Sequence, residues 1–239
     1  MIALIYAAGS SLRIKKTINI EHKSLLIVKN KKLIEHQLNW IKKSKAKKII
    51  IIVNKDHKQL ISLLKKYESK IPIQLIYNND TKSQNMKSFF LAKKEIANQD
   101  VIFTTSDLFC DNENITKFLK SKESNKILID INKKNYTGDE VLVEFNNKKL
   151  IVRCSKKLEK FDGMAIGVYK FNSYFINKML DYAENNNNDG HFNKSLYYAI
   201  DNSIDKQDRI FPIKTVNSLW YDIDTFKEYV LLKKQYDKE

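Results

Sequence analysis

The 239-residue sequence predicts an α/β fold: a mainly parallel sheet flanked by helices, with a small antiparallel β extension in its C-terminal half. Three observations carry that reading. Short apolar runs alternate with stretches of helical spacing through the first half, the grammar of strand–helix–strand units joined by right-handed crossovers. The run Lys48 to Val53 (KIIIIV) is almost unbroken β-branched residues, and a strand without polar alternation is covered on both faces, as in a parallel sheet. From about Lys126 strand patterns succeed one another with few helical stretches between them. We therefore expect one domain over residues 1–239, with halves at 1–125 and 126–239.

The chain opens on Ile2 to Tyr6, an apolar run that reads as a buried strand feeding a tight turn of small residues, Ala7-Ala8-Gly9-Ser10-Ser11. Lys32 to Lys43 carries Leu33, Ile34, Leu38 and Ile41 at helical spacing with lysines outside. After the KIIIIV strand, His57 to Tyr67 is helical through Leu60, Ile61, Leu63, Leu64 and Tyr67. Ile73 to Tyr77 is the next strand, Asn78 to Ser83 a polar turn, and Asn85 to Ala97 a helix with Phe89, Phe90 and Ala92 inward. Val101 to Thr104 is a short strand ending at Ser106-Asp107. In the second half Ile127 to Asp130, Val141 to Phe145, Leu150 to Cys154 and Met164 to Tyr169 are strands, with Asn146-Asn147 as a hairpin turn. Helices are expected over Ser173 to Glu184 and His191 to Asp201, and short strands over Ile210 to Ile213 and Val216 to Trp220. Thr225-Phe226-Lys227-Glu228 is a capping-box pattern that starts a last helix running to about Tyr236.

Lysine and arginine number 43 against 28 acidic residues, a net charge of +15. The excess is mostly lysine spread along the chain, without the patches of arginine and aromatics that mark nucleic-acid binders. The sequence therefore points away from nucleic acid and stays compatible with steering small anionic substrates. Cys110 and Cys154 show neither metal spacing nor a disulfide framework. No basic n-region precedes the opening apolar run, and no run approaches the ~20 residues of a spanning helix. The expectation is a reduced, cytoplasmic protein that needs no membrane; a homodimer is left open.

Four stretches can carry chemistry. Small residues in the first turn let backbone N–H groups approach an anion, and a following helix start adds its positive end. With Arg13 and Lys23 on either side, that turn makes a cradle for a triphosphate; an ordinary strand-to-helix turn with surface cations has the same pattern. Asp107 closes the strand Thr104-Thr105-Ser106-Asp107 at a carboxyl end, where open α/β sheets bind ligands. A carboxylate there suits a magnesium ion on phosphates, or the cap of the next helix. Trp220-Tyr221-Asp222-Ile223-Asp224-Thr225 puts two carboxylates on one face of an extended segment. Asp222 is the preferred partner of Asp107 across a metal, and Asp224, beside the capping Thr225, the weaker one. Gln84, Asn85 and Ser88 follow a polar turn and are placed to bond a base or ribose, Asn85 being equally a helix cap. The four histidines show no metal spacing, and no Ser-His-Asp or Cys-His set stands out.

Taken together, these pieces resemble the nucleotidyltransferase family that includes the sugar-phosphate, inositol-phosphate and phosphocholine nucleotidylyltransferases. The family opens with a strand and Ala-Ala-Gly-x-Gly-x-Arg, here Ala7-Ala8-Gly9-Ser10-Ser11-Leu12-Arg13. Its next signature, a Lys before an apolar strand, falls on Lys23 in His22-Lys23-Ser24-Leu25-Leu26, a form most similar to the bacterial phosphocholine cytidylyltransferases. Its metal Asp falls on Asp107, its late Trp-x-Asp-x-x-Thr segment on Trp220 to Thr225, and its Asn-Met-x-Ser segment on Asn85 to Ser88. Phe161-Asp162-Gly163 through Ala165-Ile166-Gly167 is similar to its acceptor-side strand. One departure is Ser11, in place of a loop glycine that takes positive φ freely.

The resemblance implies a Rossmann-like fold and a Mg²⁺-dependent transfer. The phosphate or phosphonate of a small metabolite attacks the α-phosphorus of a nucleoside triphosphate, CTP by choice, and pyrophosphate leaves. It puts Mg²⁺ on Asp107 and Asp222, Arg13 on the pyrophosphate and Lys23 on the α-phosphate. The base, ribose and phosphates would meet Ala7, Ala8, Gly9, Ser10, Ser11, Gln84, Asn85, Ser88 and Ser106. Lys156 is a candidate for the acceptor phosphate. For an acceptor with an ammonium group, Asp130, Asp162, Tyr169 and Asp189 are candidates. The product would be a CDP-activated precursor for capsule, lipopolysaccharide or lipid modification. Alternatives are a sugar-1-phosphate or inositol phosphate acceptor, or a glycosyltransferase using Asp222 and Asp224 as its metal motif.

Overall fold

Strand β1 (Ile2–Ala7) is buried along its whole length and lies in the middle of the main sheet. The computed structural model describes residues 1–67, 69–80, 82–187, 192–217 and 219–236. From β1 the chain enters the short helix α1 (Leu12–Lys15), a 3₁₀ turn at Lys23–Leu25 and the small hairpin β2 (Ile27–Val28) and β3 (Lys31–Lys32). There follow α2 (Leu33–Ile41), β4 (Lys48–Val53), α3 (Lys58–Lys66), β5 (Ile73–Tyr77), α4 (Asn85–Leu91), α5 (Lys93–Ile96) and β6 (Val101–Thr105). The remainder is β7 (Leu108–Cys110), α6 (Asn112–Lys120), β8 (Lys126–Asp130), β9 (Val141–Phe145), β10 (Ile151–Ser155) and β11 (Gly163–Phe171), then α7 (Ser173–Asn185), α8 (Leu196–Ser203), β12 (Phe211–Lys214), β13 (Trp220–Asp222) and α9 (Phe226–Tyr236).

The sheet runs β10-β9-β11-β6-β1-β4-β5, with β8 pairing β11 and β12 beside that path. Strands β6, β1, β4 and β5 are parallel, which fits their lack of polar alternation. Strand β11 is antiparallel to β6, β8 and β9, so the extension expected after residue 125 grows directly from the main sheet. Alternation along β1 sends Leu4 and Tyr6 into one core with Phe89, Phe175 and Ala199, from α4, α7 and α8. Ala3, Ile5 and Ala7 enter the other core with Leu38, Leu60 and Phe118, from α2, α3 and α6. A third cluster joins Ile14, Val28, Leu33, Phe109, Ile223 and Leu232, and so pins α9 and β13 beside the first loop.

Several elements depart from expectation for local reasons. The helix expected over residues 85–97 is two, because the Ala92 amide turns back to Phe89 and the chain tightens there. The strand expected over residues 216–220 lies instead at β13: Asn114 Oδ1 takes the amides of Val216 (2.6 Å) and Asn217 (3.4 Å), which are then spent on a side chain. The helix expected from His191 begins at Leu196, and His191 itself lies outside the described residues. Strand β7 and helix α6 were not read from the sequence.

Gly163 begins β11 where a methyl group would sit 2.9 Å from the Asp130 carbonyl oxygen and 3.3 Å from Ile129 Cδ1. The nearer neighbour is backbone and cannot swing aside. Gly163→Ala is expected to cost about 1–3 kcal/mol of stability, read by chemical denaturation.

Candidate active site

The first loop leaves β1 with its backbone committed to one geometry. Ser11 takes a left-handed conformation (φ 56°, ψ 25°), which costs a residue with a Cβ about 1–2 kcal/mol. Its hydroxyl accepts from the Lys23 amide at 3.0 Å, a bond glycine could not make. A methyl group on Gly9 would meet nothing within 4 Å, so the loop backbone is open to the cleft there. Lys23 starts the 3₁₀ turn, and His22 caps it by accepting from the Ser24 amide at 3.2 Å. The buried His22 ring packs on His57 with centroids 4.5 Å apart. Burial, and then the His57 neighbour, push its pKa down to about 3, so Lys23 rests on an uncharged support.

Strands β7 and β13 bring the acidic residues to this loop. They pair antiparallel with Asp222 opposite Leu108, and the Ile223 amide donates to the Asp107 carbonyl at 3.2 Å. Ile223 is fully buried in the third cluster, so Asp222 and Asp224 on either side of it face the same way. Carboxylate oxygens of Asp107, Asp222 and Asp224 lie within 4.8 Å of one another. Lys23 Nζ sits 2.5 Å from Asp107 Oδ2 and donates to Asp224 Oδ1. Arg13 Nη2 is 2.5 Å from Asp224 Oδ2, and its Nη1 is 3.8 Å from Asp139. The Glu228 carboxylate accepts from the amides of Asp224 and Thr225, both at 2.7 Å, the reciprocal half of the capping box. Asp224 thus serves the helix with its backbone and the cluster with its side chain.

The charges reshape one another. Burial alone would lower the Lys23 ammonium, but Asp107, Asp222 and Asp224 outweigh it and hold it above the usual lysine range. Burial would raise Asp107, yet the charge and hydrogen bond of Lys23 keep it below the usual carboxylate range. Asp222 is raised, first by its surroundings and then by repulsion from Asp107. Its residue surface is exposed, so the repulsion between carboxylates is the part that carries weight. Asp107 Oδ1 is buried without a hydrogen-bond partner among the described residues. An all-oxygen set with one unsatisfied buried atom fits a hard divalent cation.

The cleft beside this cluster holds about 540 Å³ and is lined by Ala8 through Arg13, Lys23, Gln84, Asn85, Ser88, Ser106, Asp107 and Asp224. Ala7 is buried in the strand behind it. Asn85 Oδ1 accepts from the Leu196 amide at 2.7 Å, so this side chain caps α8, not its own helix. Ser195 Oγ lies 3.3 Å from Gln84 Oε1, and Ser88 accepts from the buried Asn78 at 3.0 Å. Sequence reading missed Tyr6, Asn78, Asp80 and Thr105, which also line the cleft. Asn78 and Asp80 sat in a turn whose polarity hid which residues face inward.

The acceptor candidates scatter. Asp130 is buried and accepts hydrogen bonds from Trp220 Nε1 and the Asn132 amide, both at 2.8 Å. Asp162 accepts from the Phe145 amide at 2.7 Å. Both carboxylates hold strands in place. Tyr169 stacks on Phe103 at 4.8 Å, and its hydroxyl is raised by burial, then by Cys154 and Asp222. Lys156 reaches Asp139 at 3.9 Å, the carboxylate that also meets Arg13. Asp189 lies outside the described residues.

A family profile described as Nucleotidyl transferase matches residues 2–239. The chain belongs to the nucleotidyl transferase family. It is 24% identical over 202 residues to a CTP:phosphoglutamine cytidylyltransferase of Campylobacter jejuni, spanning 77% of this chain and 78% of that protein. It is 34% identical over 110 residues to a choline-phosphate cytidylyltransferase of Streptococcus pneumoniae, 46% of each chain. The inositol-1-phosphate CTP transferase structure from T. maritima superposes with a TM-score of 0.79 at 16% identity, covering 99% of this chain and 93% of that one, a likeness of fold. Membership favours nucleotidyl transfer over the glycosyltransferase and nucleic-acid readings. Among the described residues no helix is long and apolar enough to cross a membrane.

The cluster gives stability a pH signature. Asp107 is depressed, so its contribution is present above about pH 4 and lost as pH falls through its lower folded value. Lys23 is raised, so its contribution holds below about pH 10 and fades above its folded value. Asp222 is raised, so its repulsion weighs against the fold once it ionises. Lys23→Met is expected to cost about 3 kcal/mol in chelator at neutral pH. That gap should close below about pH 4 in denaturant titrations of both proteins.

Proposed function

We propose that the protein transfers a cytidylyl group from CTP to the phosphate or phosphonate of a small metabolite, releasing pyrophosphate. The observation that supports this most is the meeting of Lys23, Arg13 and the carboxylates of Asp107, Asp222 and Asp224 beside the Ser11 loop. The cytidylyltransferase names of the Campylobacter and Streptococcus relatives support the choice of base and of a phospho-acceptor.

The chemistry asks little of a general base. A phosphate monoester oxygen is already anionic at neutral pH, its second pKa being about 6. The new bond joins that oxygen to the α-phosphorus, and the bond to the β-phosphate oxygen breaks in line. Two anions must be brought together, so positioning and charge neutralisation do the work. The Ser11 loop presents backbone amides to the polyphosphate. Arg13 takes charge developing on the leaving pyrophosphate, and Lys23 takes that on the α-phosphate. Asp107 and Asp222, with Asp224, would hold Mg²⁺, which would supply positive charge to offset that of the reacting phosphates. On the acceptor side we place Lys156 and Tyr169, with phosphocholine-like acceptors first, then other amino-phospho or phosphono compounds, then sugar or inositol phosphates. The product would be a CDP-activated precursor for surface-glycan or lipid modification. The net charge of +15 speeds the encounter with both anions.

The test offers each nucleoside triphosphate with a panel of phospho- and phosphono-metabolites and magnesium, and follows pyrophosphate. CTP with one member should give pyrophosphate release that chelator removes. Asp107→Ala should lower turnover by about 10³-fold or more while the thermal transition persists. Near-normal turnover in that variant would refute the assignment of Asp107.

A further inference from the structure

We propose that, in the nucleotide-free protein, Lys23 and Arg13 stand in for a divalent cation, so that metal enters with the triphosphate and not ahead of it. The inference deepens the function proposed above and rests on it for the identity of the two ligands. Lys23 Nζ is 2.5 Å from Asp107 Oδ2 and bonded to Asp224 Oδ1, and Arg13 Nη2 is 2.5 Å from Asp224 Oδ2. Two cations therefore already serve two of the three carboxylates that meet within 4.8 Å. A divalent ion arriving alone meets an ammonium in contact with two of its ligands, and that repulsion acts at the shortest range in the site.

A triphosphate changes the balance. It reaches the same loop, to which the Lys23 amide is tied through Ser11 Oγ at 3.0 Å. The four-carbon stem of a lysine turns freely about such a fixed backbone. Phosphate oxygens offer both cations strong charge-assisted hydrogen bonds, and each cation that moves to them frees a carboxylate. Arg13 is the more accessible of the two, its side chain being 60% exposed against 12% for Lys23. Asp107 Oδ1 remains as a buried carboxylate oxygen of the cluster with no hydrogen-bond partner among the described residues. The coupling is reciprocal: whatever the triphosphate adds to metal affinity, metal adds to triphosphate affinity.

The test measures Mn²⁺ binding to the full chain without nucleotide, by the electron paramagnetic resonance signal of the free ion. Lys23→Gln is expected to tighten Mn²⁺ by about tenfold or more, since a neutral amide replaces the ammonium. Arg13→Gln, at an exposed position, should tighten it by a smaller factor. Adding Asp107→Asn to either variant should remove the gain. Unchanged or weaker Mn²⁺ binding in folded Lys23→Gln overturns the proposal; if that variant does not fold, the same result in Arg13→Gln overturns it. No substrate is present, so the expected tightening stands even for a wild type that releases no pyrophosphate. Absence of tightening sinks the proposal even in an active enzyme.

Discussion

Three carboxylates cannot share a few ångströms of space unless something positive holds them. At the separation seen here, each pair repels by on the order of 3 kcal/mol in a partly solvated site. Lys23 offsets this directly by touching two of the three. The backbone supplies the rest: β13 is locked to β7, and Ile223 is driven into an apolar cluster between the two late aspartates. Ile14, next to Arg13, is buried in that same cluster. One hydrophobic contact set therefore fixes both the cationic loop and the acidic strand, and apolar burial holds together groups that would otherwise separate.

The two sides of the cleft are built differently. On the side of the first loop, backbone does the positioning, through the left-handed Ser11, its bond to Lys23 and the uncharged His22 next to it. On the side of Gln84 to Ser88, side chains do it, and much of their bonding capacity is turned to α8 and the residue that precedes it. Asn85 satisfies an orphan amide at the start of that helix, and the Gln84 amide donates to the Phe192 carbonyl at 2.8 Å. The wall is stiffened by a segment that follows it by about a hundred residues. A substitution at Asn85 would therefore disturb a helix cap.

Much of this was legible in the sequence because the signals were local. Apolar runs gave the parallel strands, the Thr225 to Glu228 pattern gave the last cap, and small residues followed by Arg13 gave the first loop. Alternation placed Asp222 and Asp224 on one face, but it could not rank them. Asp224 makes the ion pairs with Lys23 and Arg13, which stand about two hundred residues away in the chain. Ser11 was read as a restriction on the loop, whereas its hydroxyl also accepts from the Lys23 amide, a contact between residues twelve apart. Asp130 is the hydrogen-bond partner of Trp220, ninety residues later, a contact no local pattern announces. Asn114 likewise displaced the expected strand through a distant bond to Val216. What escaped was consistently long-range, where side chains spend their bonds on segments that no local pattern can anticipate.

Arg13 and Asp224 are 211 residues apart in the chain. Such a contact closes a very long loop, among the last steps a folding chain can complete. During synthesis the first loop and its cations are made early, while the carboxylates that complete the site emerge much later. A partly made chain therefore carries its basic loop before Asp224 exists to pair with it, and the ion pairs of Arg13 and Lys23 to Asp224 close only once β13 has docked on β7.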